Sequence, residues 1–439
     1  MLKRAKNRGV HTGCGDTEGF AAWVRENAVF LSQDEDENLD KLACLDGLLK
    51  DKRIVFLGEE DHWVHEKYDY RKLMLRYLFS RGWRFVGEEI GWSDGIRIDR
   101  YLETGDQTYL ERIATYGYRG DARQDRNDTP SGLLKSVAGN YPTDAFKAEQ
   151  IRLAALMHSL SQKDASECGR MRYFGYDVNA VPGGGYEDIR ELLDGEESAP
   201  ELAGINRLAV PVPGETVIQE MRRLDRLSRM IRDGISELKA RLGEGRARLL
   251  GQHAIAMRDS LEYQRLAGPA TSYRALNKAM ATREEAMLRR VEFVLAQLQP
   301  EDKLVLMGHN RHLSKDMGGL KSLGAMPGGN RVPTLGAALS RRFPGQVFSI
   351  WMLHERGRSS QPFDGMASEY QSRPGSLNAL LSQAGSGFML PTDAGADERA
   401  ACLREEMEVV GLYNVPYRAV LARQADAAYF IREVSPLML

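Results

Sequence analysis

The segment "RIVFLGEEDHWVHEKYDYRKLMLRYLFSRGWRFVGEEIG", residues 53–91, decides the fold class. It opens with the apolar run Arg53–Gly58, rich in strand formers and bounded by charge and glycine, which reads as a buried strand. From His65 to Arg81 the period changes. Tyr70, Leu73, Met74, Tyr77 and Leu78 recur at spacings of three and four, the pattern of an amphipathic helix. Trp83–Gly91 reads as the next strand. Strand, helix and strand in so short a stretch make a βαβ unit, which implies a parallel sheet.

The pattern continues outward. Further strands are expected at 170–178, 302–310, 346–353 and 427–434, and helices at 18–30, 39–50 and 283–298. Between Val181 and Arg290 the sequence is charged and helical, with no convincing strand. Its entry is the Gly/Pro/acid-rich linker "VPGGGYEDIRELLDGEESAPELAG", and its stretch "QEMRRLDRLSRMIRD" is suited to pairing with a neighbouring helix. The expected class is therefore α/β: a mostly parallel β-sheet flanked by helices, with a helical insertion covering the carboxyl edge of the sheet. Residues 1–186 and 291–439 would form the two halves of the α/β domain, and 187–290 the insertion, a lid or arm.

The bulk numbers narrow the function classes. The 439 residues are 42% hydrophobic and 28% charged, and 60 Lys and Arg face 62 Asp and Glu. So balanced a charge gives no reason to expect nucleic acid or an anionic membrane as a partner. The basic N-terminus lacks a following apolar region, so no secretory signal is expected, and no run approaches the roughly 18 apolar residues of a membrane span. Cys14, Cys44, Cys168 and Cys402 lie far apart without a CxxC pair, which argues against a zinc ribbon or a disulfide scaffold. A cytoplasmic protein with reduced thiols is the expectation. Oligomeric state is not legible.

Chemistry gathers where the strands end. The first ends at Gly58-Glu59 and reaches His62, the second at Glu88-Glu89, the third at Asp177, and the fourth at His309, Asn310 and His312. Loops at the carboxyl ends of parallel strands open on one edge, where ligands bind, so these residues are expected to converge in one cleft. A buried core has no use for such a set, because an unpaired buried charge costs several kcal/mol. Two imidazoles three apart, in "HWVHE" and again in "HNRH", raise a metal reading, since zinc accepts His and carboxylate ligands. Yet His-x-x-His-Glu lacks the helical two-ligand logic of His-Glu-x-x-His. With no G-x-S-x-G elbow and no cysteine at a strand end, the residues favour attack by water, for which an imidazole is a suited base.

These motifs resemble the erythromycin esterase family, which includes succinoglycan biosynthesis proteins. The first signature, a strand running into Gly-Glu-x-x-His, then a helix and a strand ending in Glu, is matched by "FLGEEDH" and "RFVGEEIGWSDGIRIDRYL"; Glu89 with Asp99 and Tyr101 fits the family spacing. The second, an apolar strand running into His-Asn-x-His, is matched by "VLMGHNRH". The "YFGYDV" segment resembles the family's Gly-x-Asp strand, and the family's helix arginine falls on Arg71. Trp63 replaces a frequent glycine, and Met307-Gly308 a frequent aromatic residue, at positions that shape the substrate pocket.

The resemblance implies a metal-independent hydrolase, without cofactor, acting on a small-molecule ester, lactone or acylated saccharide in secondary metabolism or antibiotic resistance. His62 is expected to be the general base, with Glu59 and Glu89 orienting its ring or the water. Arg71, His309 and His312 are expected to supply donors to the oxyanion. Asn310, Asp177, His65 and Trp63 are expected at the substrate. Glu60 and Asp61 read as residues favouring a helix N-terminus. The alternatives are a transferase or cyclase of polysaccharide or natural-product assembly using the same His, and a non-catalytic binding protein.

Overall fold

In the computed structural model, the described residues are 15–32, 34–111, 113, 143–163, 169–178, 185–194, 202–267, 272–322, 332–360, 367–410 and 416–438. The chain divides into two compact units. The first comprises 1–83, 303–361 and 365–438; the second consists chiefly of 84–302. The second unit thus begins at Arg84, well before the expected insertion, and takes two of the strands with it.

The first unit is built on β2 (Ile54–Glu59), β5 (Leu304–His309), β7 (Val347–Ser360) and β12 (Ala427–Val434), all parallel, in the order β12-β7-β2-β5. Every residue of β2 and β5 is buried. A parallel strand covered on both faces has no polar side to show, which is why "IVFLG" and "LVLMG" read as continuous apolar runs. Antiparallel strands finish this sheet. β9 (Gly387–Pro391) pairs with β12, β1 (Val29–Phe30) with β9, and β8 (Ala367–Gln371) with β7. The helical pattern over 18–30 overruns the observed helix, Thr17–Asn27, because Val29 and Phe30 pair with Met389 and Phe388. One face of this sheet buries Trp351, Leu353, Phe388 and Phe430 against Phe20, Trp23 and Leu377. A separate three-stranded sheet joins β10 (Met407–Val409), β11 (Tyr417–Ala419) and β6 (Lys321–Ser322).

The helix Glu66–Phe79 follows β2, and ten of its residues are buried, among them Lys67 and Arg71. Its start is tied to the far end of the chain: the Ser435 N–H and hydroxyl donate to Glu66 Oε2 and Oε1 at 2.8 and 2.6 Å. Buried Cys402 is disulfide-bonded, against the expectation of reduced thiols, whereas Cys44 is a free, exposed thiol.

In the second unit β3 (Phe85–Gly91) pairs in parallel with β4 (Arg172–Asp177). The helix Trp92–Thr104 crosses β4 so closely that a Cβ on Gly95 would fall 1.8 Å from the Gly175 nitrogen, so only glycine permits the approach. Within 187–290 the described residues contain helices and no strand. Together with Tyr186 they form an apolar core that includes Ile189, Leu224, Leu227, Ile231 and Leu250. The helix Val217–Asp233, opened by the Thr216/Gln219 capping box, packs along Glu244–Ala267, the neighbour its heptad-like stretch called for. Among the described residues no helix is long and apolar enough to cross a membrane.

Candidate active site

Each unit carries a polar cluster at its strand ends. In the first unit the register pairs Glu59 with His309, since Ile54 lies opposite Leu304 and the two strands run level to their ends. The chain turns after β2, and His62 comes back with Nδ1 2.6 Å from Glu59 Oε1. The other carboxylate oxygen lies 2.6 Å from Arg71 Nη2, and Lys67 Nζ is 3.6 Å from Oε1. Lys67 and Arg71 stand four residues apart on one helical face, so both reach the same carboxylate.

Glu59, Lys67 and Arg71 are buried, and His62 is 7% exposed. Burial alone would raise the Glu59 pKa. The charges of Arg71 and Lys67, with the His62 hydrogen bond, overcome it and bring the value to about 2. Glu59 is therefore an anion and can only accept. The hydrogen of the bond must come from His62 Nδ1, so in the neutral imidazole the lone pair lies on Nε2, the state a proton acceptor needs.

His309 sits beside this dyad, its ring centroid 5.1 Å from that of His62. Both its nitrogens meet the main chain: Nε2 lies 3.0 Å from the Glu60 carbonyl, and Nδ1 accepts the Arg311 N–H at 3.1 Å. The carbonyl can only accept and the amide can only donate, so His309 is held neutral with its hydrogen on Nε2. His312, edge-on to His309 at 6.4 Å, is the third imidazole of the group.

Three residues expected at the substrate are occupied by the protein in this unit. Asn310 is buried, crosses over Gly58 and donates from Nδ2 to the Met352 carbonyl at 3.2 Å. Trp63 is 1% exposed and packs edge-on to His62. His65 Nε2 lies 3.2 Å from Asp69 Oδ2 at the start of the following helix. Arg71, expected at the oxyanion, places its Nη2 2.6 Å from Glu59 Oε2. Glu60 and Asp61 do not cap a helix: both are buried, and the helix begins only at Glu66. Asp61 Oδ1 instead accepts the Trp63 N–H at 2.8 Å.

In the second unit Glu89 and Asp177 share Arg283. The guanidinium donates from Nε and Nη2 to the two Asp177 oxygens and from Nη2 to Glu89 Oε1, each at 2.7 Å. Strand alternation sends Glu88 to the opposite face, where Gln150 donates to it at 2.6 Å and the Tyr173 hydroxyl bonds the same oxygen. Asp99 is a strap for β4. It accepts the Tyr173 N–H at 2.8 Å and pairs with Arg170 and Arg172.

Reading the sequence missed Lys67, Arg283 and the Glu60–His354 contact. Lys67 had a signal, lying one helical turn before Arg71. Arg283 had none, for it is one cation among many in a charged helix. Among the described residues no group of three or more His, Cys, Asp and Glu is disposed to hold a metal ion.

Parallel strands flanked by helices, with a buried carboxylate–imidazole dyad at one strand end, define an α/β protein with a polar site at the carboxyl ends of its strands. The chain belongs to the erythromycin esterase family, whose sequence profile matches residues 80–434. That match begins after the Gly58–His62 turn, so the dyad itself rests on geometry. Three solved structures share the fold. A Bacillus cereus protein is 18% identical, with 97% of this chain and 100% of that one covered and a TM-score of 0.73. A succinoglycan biosynthesis protein is 16% identical, with 96% and 98% covered and a TM-score of 0.70. A mutant of the erythromycin esterase EreC in its open conformation is 17% identical, with 91% and 95% covered and a TM-score of 0.62.

Proposed function

We propose that this protein hydrolyses a small-molecule ester or lactone, acylated saccharides included, with water activated by His62. Family membership supports an esterase-like hydrolase. The observation that carries the mechanism is the 2.6 Å contact between His62 Nδ1 and a Glu59 carboxylate kept ionised by Arg71 and Lys67. Nε2 takes a proton from water as the water oxygen attacks the carbonyl carbon, and Glu59 stabilises the imidazolium that forms. The tetrahedral intermediate collapses, its C–O bond to the leaving group breaks, and the departing alkoxide recovers the proton from Nε2. Of the three expected oxyanion donors, His312 keeps that role in our reading. Arg71 is committed to Glu59, and the nitrogens of His309 to the main chain. In our reading Glu89 and Asp177, both paired with Arg283, are not assigned a step in the proton transfer.

The test is a panel of esters and lactones assayed with wild type and His62→Ala after exhaustive chelation and dialysis. Chelated wild type should hydrolyse at least one ester, and the variant should lose about 10²- to 10⁴-fold in kcat with an unchanged melting profile. Activity that vanishes on chelation and returns with a divalent ion would make His62 a metal ligand and defeat the mechanism.

A further inference from the structure

The residue after the anionic Glu59 is a second buried glutamate that the mechanism above leaves without a task. Glu60 is 1% exposed, and its main chain and side chain point to different partners. Its carbonyl accepts Nε2–H of His309 at 3.0 Å. Its carboxyl turns into the first unit, where Oε2 accepts the His354 N–H at 3.2 Å and Asn378 Nδ2 at 3.3 Å. Asn378 also donates to the His354 carbonyl at 2.6 Å and accepts the Val410 N–H at 3.2 Å. The Glu60 carboxyl thus ties the end of β2 to β7 and to the helix Leu377–Ser382, and Asn378 carries the link on to Val410, just after β10.

Among the described residues no Lys or Arg is in contact with this carboxyl. His354 Nδ1 lies 3.5 Å away and the imidazole is itself buried. Tyr370 of β8, Tyr417 of β11 and the neighbouring Asp61 complete the titratable set that acts on or feels this carboxyl. Two neutral N–H donors do not offset the loss of hydration of a buried carboxylate, whereas Glu59 has two cations in contact. We propose that Glu60 is a neutral carboxylic acid that positions His309, so that adjacent glutamates at one strand end work in opposite protonation states. The direction of its pKa agrees: burial drives it well above the ordinary 4.5, further than the His354 and Asn378 hydrogen bonds lower it. His354 is driven down to about 4 by burial and is likewise neutral. Glu60 is a positioning residue and touches no reacting atom. Its part in turnover rests on the function proposed above, whereas its protonation state does not.

Two arms test this. The first needs no substrate: infrared difference spectra of wild type minus Glu60→Gln at neutral pH. A protonated carboxyl C=O band present in wild type and lost in the variant is expected. A carboxylate band lost in its place would overturn the proposal. The second arm uses any ester the enzyme hydrolyses. Glu60→Ala should lower kcat at least about tenfold with KM little changed, because a displaced His309 disturbs alignment rather than binding. Glu60→Gln should restore most of that loss, to within about threefold of wild type, since an amide matches a neutral acid in shape and polarity. Glu60→Gln as damaged as Glu59→Gln would show that the site needs a negative charge, and so would its failure to fold. Absence of hydrolysis by wild type would defeat the proposed function alone, leaving the spectroscopic arm to decide the state of Glu60.

Discussion

At the scale of single residues, the dyad turns on the charge of Glu59. Glu59→Gln removes the anion that keeps the hydrogen on Nδ1 and leaves Lys67 and Arg71 buried without their carboxylate. The expected result is a fall in kcat of about 10²- to 10⁴-fold, with KM changed far less, because orientation of the base matters in the transition state. Breaking a buried pair from one side also destabilises by about 3–5 kcal/mol, so the unfolding midpoint in urea must be read beside the rate. A folded Glu59→Gln enzyme with kcat within about threefold of wild type would remove the dyad from the mechanism. Activity should also rise with pH on the acid side, because only the unprotonated imidazole accepts a proton. His62→Ala should show no such limb in its residual rate.

At the scale of elements, the packing of β2 and β5 against the interior of β7 depends on one absent side chain. A Cβ on Gly58 would fall 2.2 Å from Asn310 Oδ1 and 3.2 Å from the Ile350 carbonyl. Asn310 could retreat only by giving up its bond to the Met352 carbonyl, the strap between β5 and β7. Gly58→Ala should therefore destabilise the protein by about 1–3 kcal/mol, the usual cost of overpacking, and should lower kcat through the displaced His309 turn. Gly47→Ala is the control, since nothing lies within 4 Å of its added methyl. Equal urea midpoints for the two variants would refute this account.

For the whole molecule, buried titrating groups set how stability varies with pH. Glu59 titrates near 2 in the folded protein against an ordinary 4.5. Its contribution is complete above 4.5 and is lost as pH falls through 2. His354 titrates near 4 against 6.5, through burial. Between those values only the unfolded chain takes up its proton, so stability falls as pH drops from 6.5 to 4. Glu60 has the opposite sign. Its raised pKa gives stability that is full below 4.5 and lost as pH rises toward its folded value. Between about 4.5 and 6.5 the Glu60 and His354 contributions oppose each other, so urea midpoints should fall on acidification chiefly below about 4.5, where Glu59 loses its contribution. Glu60→Gln should hold its midpoint better than wild type on the alkaline side. An identical alkaline slope in the two proteins would show that Glu60 does not titrate there.

The sequence by itself determined the parallel strands and the chemistry at their ends. β2 and β5 were legible because a strand buried on both faces must be apolar throughout. Glu59, His62, His309 and His312 stood out because ionisable groups seldom follow such runs without a task. The short antiparallel strands β1, β9, β10 and β11 were not legible, since two to five residues carry too little periodicity and their pairing is made by distant partners. Only the tertiary structure decided what each polar residue does. Glu59 and Glu60 are the same residue type side by side, yet one meets Lys67 and Arg71 and the other meets an amide, a main-chain N–H and a neutral imidazole. Protonation state follows from burial and neighbouring charge, and those neighbours lie on elements up to 318 positions away in the chain.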